Sequence, residues 1–188
     1  MDFHHILRVH DRAYIEKVQS NLLDRKEQIL LGLPASPNLF ARSATEVEAT
    51  RLACNAALEE GVGVCLAGGT HHAFRGHGER YCVFNDIAIA IRDLQDKRPG
   101  IKVMVVDTDA HQGNGTASLL GDDPRVFTYS IHVGRNDPTK KVASTLDVET
   151  VRYVEGEMYL QQLFKTLADS LDSFSPDLVI WFSGADYN

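Results

Sequence analysis

The stretch Lys102-Val-Met-Val-Val-Asp-Thr-Asp-Ala-His-Gln-Gly-Asn-Gly-Thr116 joins an unbroken apolar run to a cluster of acidic, histidine and small residues. Its apolar part does not alternate with polar residues, which is typical of a strand that is covered on both faces. Ligands bind outside the carboxyl ends of the strands in an open parallel sheet. This stretch therefore predicts a buried parallel strand that ends in a binding site.

Three more apolar runs predict further buried strands, namely Val62–Ala67, Arg125–Ile131 and Asp177–Phe182. Three amphipathic stretches predict helices, namely Ala44–Glu60, Asn85–Leu94 and Glu157–Leu171. The first of these helices follows Ser43, with Glu46 three residues later, which is the pattern of a capping box. Because strands alternate with helices, we expect an α/β fold with an open parallel sheet and helices on both faces.

Two regions have weaker patterns. The residues from Asp11 to about Leu31 predict a helix, which the segment Leu33-Pro-Ala-Ser-Pro37 interrupts. Residues 133–154 are polar and irregular, and we expect them to form a long surface loop. The 188 residues fit one domain of ordinary size, so we expect residues 1–188 to form a single domain.

The composition argues against several classes of function. Apolar residues make up 44 % of the chain and charged residues 24 %, which is enough to bury an ordinary core. The net charge is −7 and no basic run is present, so we do not expect direct binding to nucleic acid. Without a long apolar run or an apolar centre in Met1–Arg12, we expect a cytoplasmic protein without membrane spans. Cys54, Cys65 and Cys82 stand apart and predict reduced thiols.

Acidic or histidine side chains follow every predicted strand. Beyond the second strand, Asp107, Asp109 and His111 point to one side if the chain stays extended, because side chains alternate along a strand. Asp109 and His111 could then bind one metal ion, with Asp186, after the fourth strand, as a third ligand. Two carboxylates and one imidazole leave a position for water and substrate, as at a catalytic zinc ion. A single Asp at a strand end is more commonly a helix cap or a turn residue, so the metal site depends on the joint pattern.

Four segments resemble, in order, the signature blocks of zinc-dependent histone deacetylases: Gly69–Ala73, Tyr81–Ala90, Val105–Thr116 and Ser183–Asp186. The resemblance extends from about Val9 to Asn188 and is closest to a class IV-like bacterial branch. It implies an arginase-like open α/β fold. It also implies a deacetylase-like domain of which this chain holds the N-terminal and central part, truncated before the family's C-terminal part.

The resemblance assigns roles to individual residues. Asp109, His111 and Asp186 match the ligands of one zinc ion per chain. His71 and His72 match the paired active-site histidines. Asp107 matches the carboxylate behind His71, Asn114 stands at the position of the partner of His72, and Tyr81 matches an aromatic wall of the acyl-lysine tunnel. A structural monovalent-cation site, usually potassium, matches Asp107, Asp109, His111, Ser130 and Ile131.

The implied reaction is hydrolysis of the amide of an acylated lysine or of a small acylated amine by a water that zinc activates. We assign His72 as the base for that water, and a histidine of the pair as the acid that protonates the leaving amine. Asp107 would favour the cationic form of His71, whereas the neutral Asn114 would leave His72 suited to act as a base.

This sequence departs from the family pattern in several places. The chain ends two residues after Asp186, without the family's tyrosine that donates to the tetrahedral intermediate, so we expect weak turnover. Arg12, Arg80 and the segment Asn136–Pro138 also depart from the pattern and leave the substrate preference and acyl length open. The sequence does not predict an oligomeric state.

Two other functions stay open. One is a truncated, catalytically impaired remnant that acts as a binding module. The other is a manganese ureohydrolase of the arginase type, which would need more carboxylates for two metal ions.

Overall fold

The computed structural model describes residues 4–184, which fall into two compact units with the boundary between Pro99 and Gly100. The helices of the first unit are α1 (His4–Leu7), α2 (Arg12–Gln19), α3 (Arg25–Leu31), α4 (Leu39–Glu60) and α5 (Asp86–Lys97). The second unit contains β1 (Val103–Asp107), α6 (Asn114–Leu120), β2 (Val126–Val133), β3 (Leu146–Thr150), α7 (Gly156–Phe174) and β4 (Leu178–Phe182). Within residues 4–184, no helix has the length and apolar character that a membrane span requires.

The sheet of the second unit has the strand order β3-β2-β1-β4, and each neighbouring pair is parallel. All residues of β1 are buried, as its unbroken apolar run predicts. The register places Asp107, at the end of β1, opposite Ser130 of β2 and Phe182 of β4. The open parallel α/β fold predicted from the sequence is therefore confirmed.

Helix α7 covers one face of this sheet. Its leucines at i and i+4 spacing pack on alternate residues of β1 and β2, and the buried cluster consists of Met104, Val106, Tyr129, Ile131, Leu163 and Leu167. On β4, Val179 and Trp181 are 42 % and 51 % exposed. In the register, Met104 lies opposite Val179 and Val106 lies opposite Trp181, so these four side chains point to the same face of the sheet. Helix α7 covers this face over β1 and β2, whereas Val179 and Trp181 on β4 stay exposed.

In the first unit, α4 packs against α5. A buried carboxylate joins them: Asp93 of α5 accepts from Arg51 of α4 at 2.9 Å and from Lys97 at 2.7 Å. Burial alone would raise the pKa of Asp93, but the hydrogen bonds from Lys97 and Arg51 lower it below the ordinary value. The carboxylate therefore stays charged and holds the two helices together.

The segment Val62–Ala67 is not a strand, so this prediction is wrong. Val62, Val64 and Leu66 are 70 %, 76 % and 99 % exposed. The segment passes so close to α4 that a Cβ on Gly63 would lie 1.9 Å from the carbonyl oxygen of Ala53. A strand needs a hydrogen-bonded neighbour, and no strand among the described residues pairs with this segment.

The helix predicted from Asp11 to about Leu31 is two helices, α2 and α3. Asp24 begins α3 with a capping box, in which its side chain accepts from the backbone of Lys26 and Glu27. Gly32 ends the helix with a φ of 74°, a left-handed conformation that favours glycine. The break could have been predicted, because Asp24 and Glu27 have the spacing of a capping box.

Two further boundaries differ from the prediction. Helix α4 begins at Leu39 rather than at Ala44, so Ser43 is buried inside the helix and does not form the expected capping box. Strand β3 lies within the segment predicted as a loop, where it pairs with β2. Its residues alternate between apolar and polar, and their partial burial gave a weaker signal than the buried run of β1.

We expect Leu163→Ala to lower the free energy of unfolding by about 2–4 kcal/mol, because it removes a side chain from the buried cluster. Leu160→Ala is a matched control in the same helix, where the leucine is 46 % exposed, and it should cost less than about 1 kcal/mol. Urea unfolding followed by circular dichroism measures both changes. Equal losses would contradict the packing of α7 described above.

Candidate functional site

The paired histidines lie in the loop between α4 and α5. His71 and His72 are each 4 % exposed, and their ring centroids are 4.0 Å apart. The backbone N–H of His71 donates to the carbonyl of Gly69 at 3.0 Å. Two imidazoles this close can act on neighbouring atoms of one substrate, as a general acid and a general base must.

A buried carboxylate holds the chain that leads into the histidines. Asp86, at the start of α5, is 1 % exposed. It accepts from the backbone N–H of Gly69 at 3.0 Å, and from the N–H and hydroxyl of Thr70 at 2.8 and 2.6 Å. The sequence analysis did not identify Asp86, although an Asn-Asp pair before an apolar helical run is a helix-start signal.

A buried histidine holds the chain that leaves the pair. His10 lies with Nδ1 at 2.8 Å from the carbonyl oxygen of Phe74, and its Nε2 accepts from the backbone N–H of Asn85 at 2.9 Å. Burial lowers the pKa of His10 from 6.5 to about 4. The ring is therefore neutral at pH 7, with Nδ1 as the donor to Phe74 and Nε2 as the acceptor. This residue was also missed, because a single histidine has no local pattern that predicts its partners.

In the second unit, the chain turns sharply where β1 ends. A side-chain oxygen of Asp107 accepts from the backbone N–H of Asp109 at 3.0 Å, and one of Asp109 accepts from that of His111 at 2.7 Å. The extended conformation stops at Asp107, so the expected alternation of side chains beyond the strand is wrong. Asp109 and His111 nevertheless meet, with His111 Nδ1 2.9 Å from Asp109 Oδ1. Successive turns, rather than strand alternation, bring the two side chains together.

The end of β4 lies beside the turn that carries Asp109. The backbone N–H of Thr108 donates to the carbonyl of Phe182 at 2.9 Å. A Cβ on Gly184 would lie 2.2 Å from Asp109 Oδ2, so the backbone packs directly on that carboxylate. Asp186, the third predicted ligand, lies outside the described residues. Within residues 4–184, no three His, Cys, Asp or Glu side chains group closely enough to hold a metal ion.

The residues predicted to bind a monovalent cation lie at the ends of β1 and β2. Asp107 and Ser130 are opposite each other in the register. The turn that carries Asp109 and His111 is joined to β2 because Val133 N–H donates to the carbonyl of Ala110 at 3.0 Å. Ile131 is fully buried in β2. The five predicted residues therefore lie at and after the end of β1 and in the neighbouring part of β2.

The remaining predicted residues occupy separate places. Asn114 is the first residue of α6 and is 2 % exposed, and its side chain accepts from the N–H of Gly115 at 3.0 Å. Tyr81, in the first unit, is 69 % exposed. Arg80 and Tyr81 both have left-handed backbone conformations, with φ of 49° and 69°. The side chain of Tyr81 is therefore mostly open to solvent.

Comparison with known proteins agrees with the signature blocks. The sequence profile described as histone deacetylase domain matches residues 1–188. The chain belongs to the histone deacetylase family. Among solved structures, an HDAC homolog from Aquifex aeolicus has a TM-score of 0.82 and 21 % identity, over 96 % of this chain and 54 % of that chain. An HDAC homolog complexed with SAHA has a TM-score of 0.83 with the same coverage. The two structures support the histone deacetylase fold.

Sequence relatives of this histone deacetylase family member come from bacteria and plants. An uncharacterized protein of Picosynechococcus is 41 % identical over 95 % of this chain and 59 % of its own length. Histone deacetylase 2 of Arabidopsis thaliana is 29 % identical over 96 % of this chain and 49 % of its own. The acetoin utilization protein AcuC of Bacillus subtilis is 31 % identical over 64 % of this chain and 34 % of its own. The chain thus spans between a third and three fifths of the length of these relatives.

We expect the neutral His10 to make this protein less stable in acid. The folded protein binds fewer protons than the unfolded chain between the folded pKa of about 4 and the ordinary 6.5, so the free energy of unfolding falls as pH falls through this range. The loss from His10 is about 2 kcal/mol between about pH 7.5 and about pH 5. Urea unfolding at the two pH values should show a smaller loss for His10→Gln than for the unchanged protein. The same loss in both proteins would contradict a neutral, buried His10.

Proposed function

We propose that this chain carries the N-terminal and central part of a zinc-dependent deacetylase. Such a hydrolase removes acetyl or other acyl groups from lysine side chains or from small acylated amines. The observation that carries the proposal is the meeting of Asp109 and His111 at the end of β1, against the end of β4. Membership in the histone deacetylase family over all 188 residues supports the reaction type.

The donor set suits zinc. Two ligand atoms of one tetrahedral zinc ion lie about 3.3 Å apart, and His111 Nδ1 and Asp109 Oδ1 are separated by 2.9 Å. Asp109, His111 and Asp186 would hold the ion and leave one position open. Bound there, zinc would polarise the acyl carbonyl and activate water for attack at neutral pH.

The histidine pair would move the protons of the reaction. We assign His72 to take a proton from the attacking water, and a histidine of the pair to protonate the leaving amine. Asp107 is the proposed partner that favours a cationic His71, and Asn114 the neutral partner of His72. Tyr81 would contact the acyl chain with its exposed ring. The burial of both histidines supports this role, because it keeps bulk water from exchanging their protons.

We also propose a monovalent cation at the end of β1 and the neighbouring part of β2. Potassium would bind largely to backbone carbonyls, at the five residues Asp107, Asp109, His111, Ser130 and Ile131. Two acidic side chains and the strand-end carbonyls provide the oxygen ligands that such a cation prefers. Its expected effect is to stiffen the turn that presents Asp109 and His111.

A binding module without catalytic activity is the second candidate function. Measuring hydrolysis of an acetyl-lysine peptide together with zinc binding separates the two functions.

We expect the zinc-loaded chain to hydrolyse an acetyl-lysine peptide slowly and to lose this activity after chelation, with recovery when zinc is added back. Asp109→Asn and His111→Ala should remove both hydrolysis and stoichiometric zinc binding, because each deletes a ligand. Asp122→Asn changes an exposed aspartate and is the matched control. Metal analysis should find one zinc ion per chain.

Other results would point elsewhere. Two manganese ions per chain would indicate the arginase-type enzyme, and zinc binding without hydrolysis would favour the binding module. Hydrolysis that survives loss of both Asp109 and His111 would contradict the proposed metal site.

We expect Gly184→Ala to weaken zinc binding by about 10-fold or more, because the added Cβ would displace the Asp109 carboxylate. Gly156→Ala makes the same chemical change at a position where a Cβ meets nothing within 4 Å, and it should leave the affinity unchanged. Competition with a zinc chelator measures both. Equal zinc affinities of the two variants would contradict the close packing of Gly184 on the Asp109 carboxylate.

A further inference from the structure

We propose that Asp86 is a positioning residue for the histidine pair, acting through the turn Gly68-Gly-Thr70 that leads into His71. The inference rests on the proposed function, because it gives Asp86 a part in that reaction. Asp86 does not touch the reacting atoms in this proposal. It sets where the two imidazoles are held.

The contacts of the Asp86 carboxylate point to the loop. Its Oδ1 accepts from the backbone N–H and the hydroxyl of Thr70, and its Oδ2 accepts from the backbone N–H of Gly69. The hydroxyl of Thr50, on α4, donates to Oδ2 at 2.5 Å. The Thr70 hydroxyl also contacts the carbonyl oxygen of Phe84, so its single hydrogen is shared between two acceptors. The backbone N–H groups of Gly69 and Thr70 are therefore the contacts that hold the two residues before His71.

The shape of the turn follows from the position of this carboxylate. Gly68 has a φ of 92°, and a Cβ there would lie 2.3 Å from Asp86 Oδ2. A side chain at position 68 would therefore collide with the carboxylate and would also strain the backbone. The glycine and the aspartate fit each other, and together they fix the direction in which the chain enters the histidine pair.

Starting helix α5 does not account for these contacts. The side chain of Asn85 caps the helix, because it accepts from the backbone N–H of Ala88 at 2.9 Å. The Asp86 oxygens instead bond to Thr50, Gly69 and Thr70, all outside α5. A neutral side chain could begin the helix equally well, but only a group that accepts at both oxygens can satisfy Thr50 and Gly69 on one side and Thr70 on the other.

The residues that follow His71 and His72 are also hydrogen-bonded to the start of α5. The side chain of Asn85 donates to the carbonyl of Ala73 at 3.4 Å, and its backbone N–H donates to His10, which contacts Phe74. Adjacent residues, Asn85 and Asp86, thus hold the chain before and after His71-His72. The backbone is therefore hydrogen-bonded to the start of α5 on both sides of the histidine pair.

The main test is Asp86→Asn in the full zinc-loaded chain. This change keeps the size of the side chain but replaces one acceptor with an NH₂ group that faces hydrogen-bond donors. We expect kcat on an acetyl-lysine peptide to fall by about 10- to 100-fold with KM nearly unchanged, because misplaced catalytic groups slow the chemical step. NMR of ¹⁵N-labelled histidine should show shifted ring signals for His71 and His72.

Asp93→Asn is the matched control. Asp93 lies on the same helix and is also buried, at 4 % exposure, but its partners are the cations Arg8, Arg51 and Lys97 rather than the loop that leads into His71. We expect this variant to lose stability while keeping kcat and the ring signals of His71 and His72. Equal effects of the two variants on kcat would reduce Asp86 to a structural residue and overturn the proposal.

Thr50→Val keeps the test valid if Asp86→Asn does not fold. It removes one hydrogen bond from the carboxylate and leaves the loop contacts in place, so we expect smaller shifts of the same ring signals. Unchanged ring signals in the folded variants would overturn the proposal. The NMR measurement does not depend on hydrolysis. Shifted ring signals of His71 and His72 in a chain without activity would support the role of Asp86 in positioning the histidines while contradicting the deacetylase function.

Discussion

The parallel register of β1 between β2 and β4 is the constraint on which the second unit depends. It places Asp107 level with Ser130 and Phe182, so β1 and β4 end together while β2 continues to Val133. The turn after Asp107 can then bring Asp109 against the backbone at Gly184. The same register directs alternate residues of β1 and β2 toward α7, and a shift of one residue would move them to the opposite face. The apolar core and the proposed metal ligands are therefore set by one pairing.

Buried carboxylates that accept from the backbone shape both parts of the proposed site. Asp107 and Asp109 each accept from the backbone N–H of the residue two positions later, whereas Asp86 accepts from N–H groups 16 and 17 positions earlier in the chain. A buried charge is costly unless it is fully hydrogen-bonded. Because these carboxylates have their donors only in one conformation, they favour the turns that present Asp109, His111 and the paired histidines. Reactive side chains on loops gain in this way the fixed positions that regular structure does not provide.

The accuracy of the sequence predictions followed the strength of the local pattern. The apolar runs of β1, β2 and β4 correctly predicted strands, although β4 is buried only at Leu178. The apolar stripes of α5 and α7 correctly predicted helices, because burial of one helical face leaves a clear periodicity. Val62–Ala67 has the same apolar composition as those strands, but composition does not show whether a neighbouring strand is present to pair with it. Strand β3 was missed for the opposite reason, since it lies at the edge of the described sheet, where partial burial permits polar residues.

The sequence by itself determined the fold class and the family, because apolar periodicity and the ordered signature blocks are properties of the chain that survive without coordinates. It also predicted that the side chains of Asp109 and His111 lie close together. The reason given was the alternation of side chains along an extended strand, but the strand ends at Asp107. Only the tertiary structure showed the turns that join these two side chains, the packing of Gly184 on Asp109, and the roles of Asp86 and His10 around the histidine pair. Those contacts link residues up to 75 positions apart, and a hydrogen bond over such a separation leaves no periodic trace in the sequence.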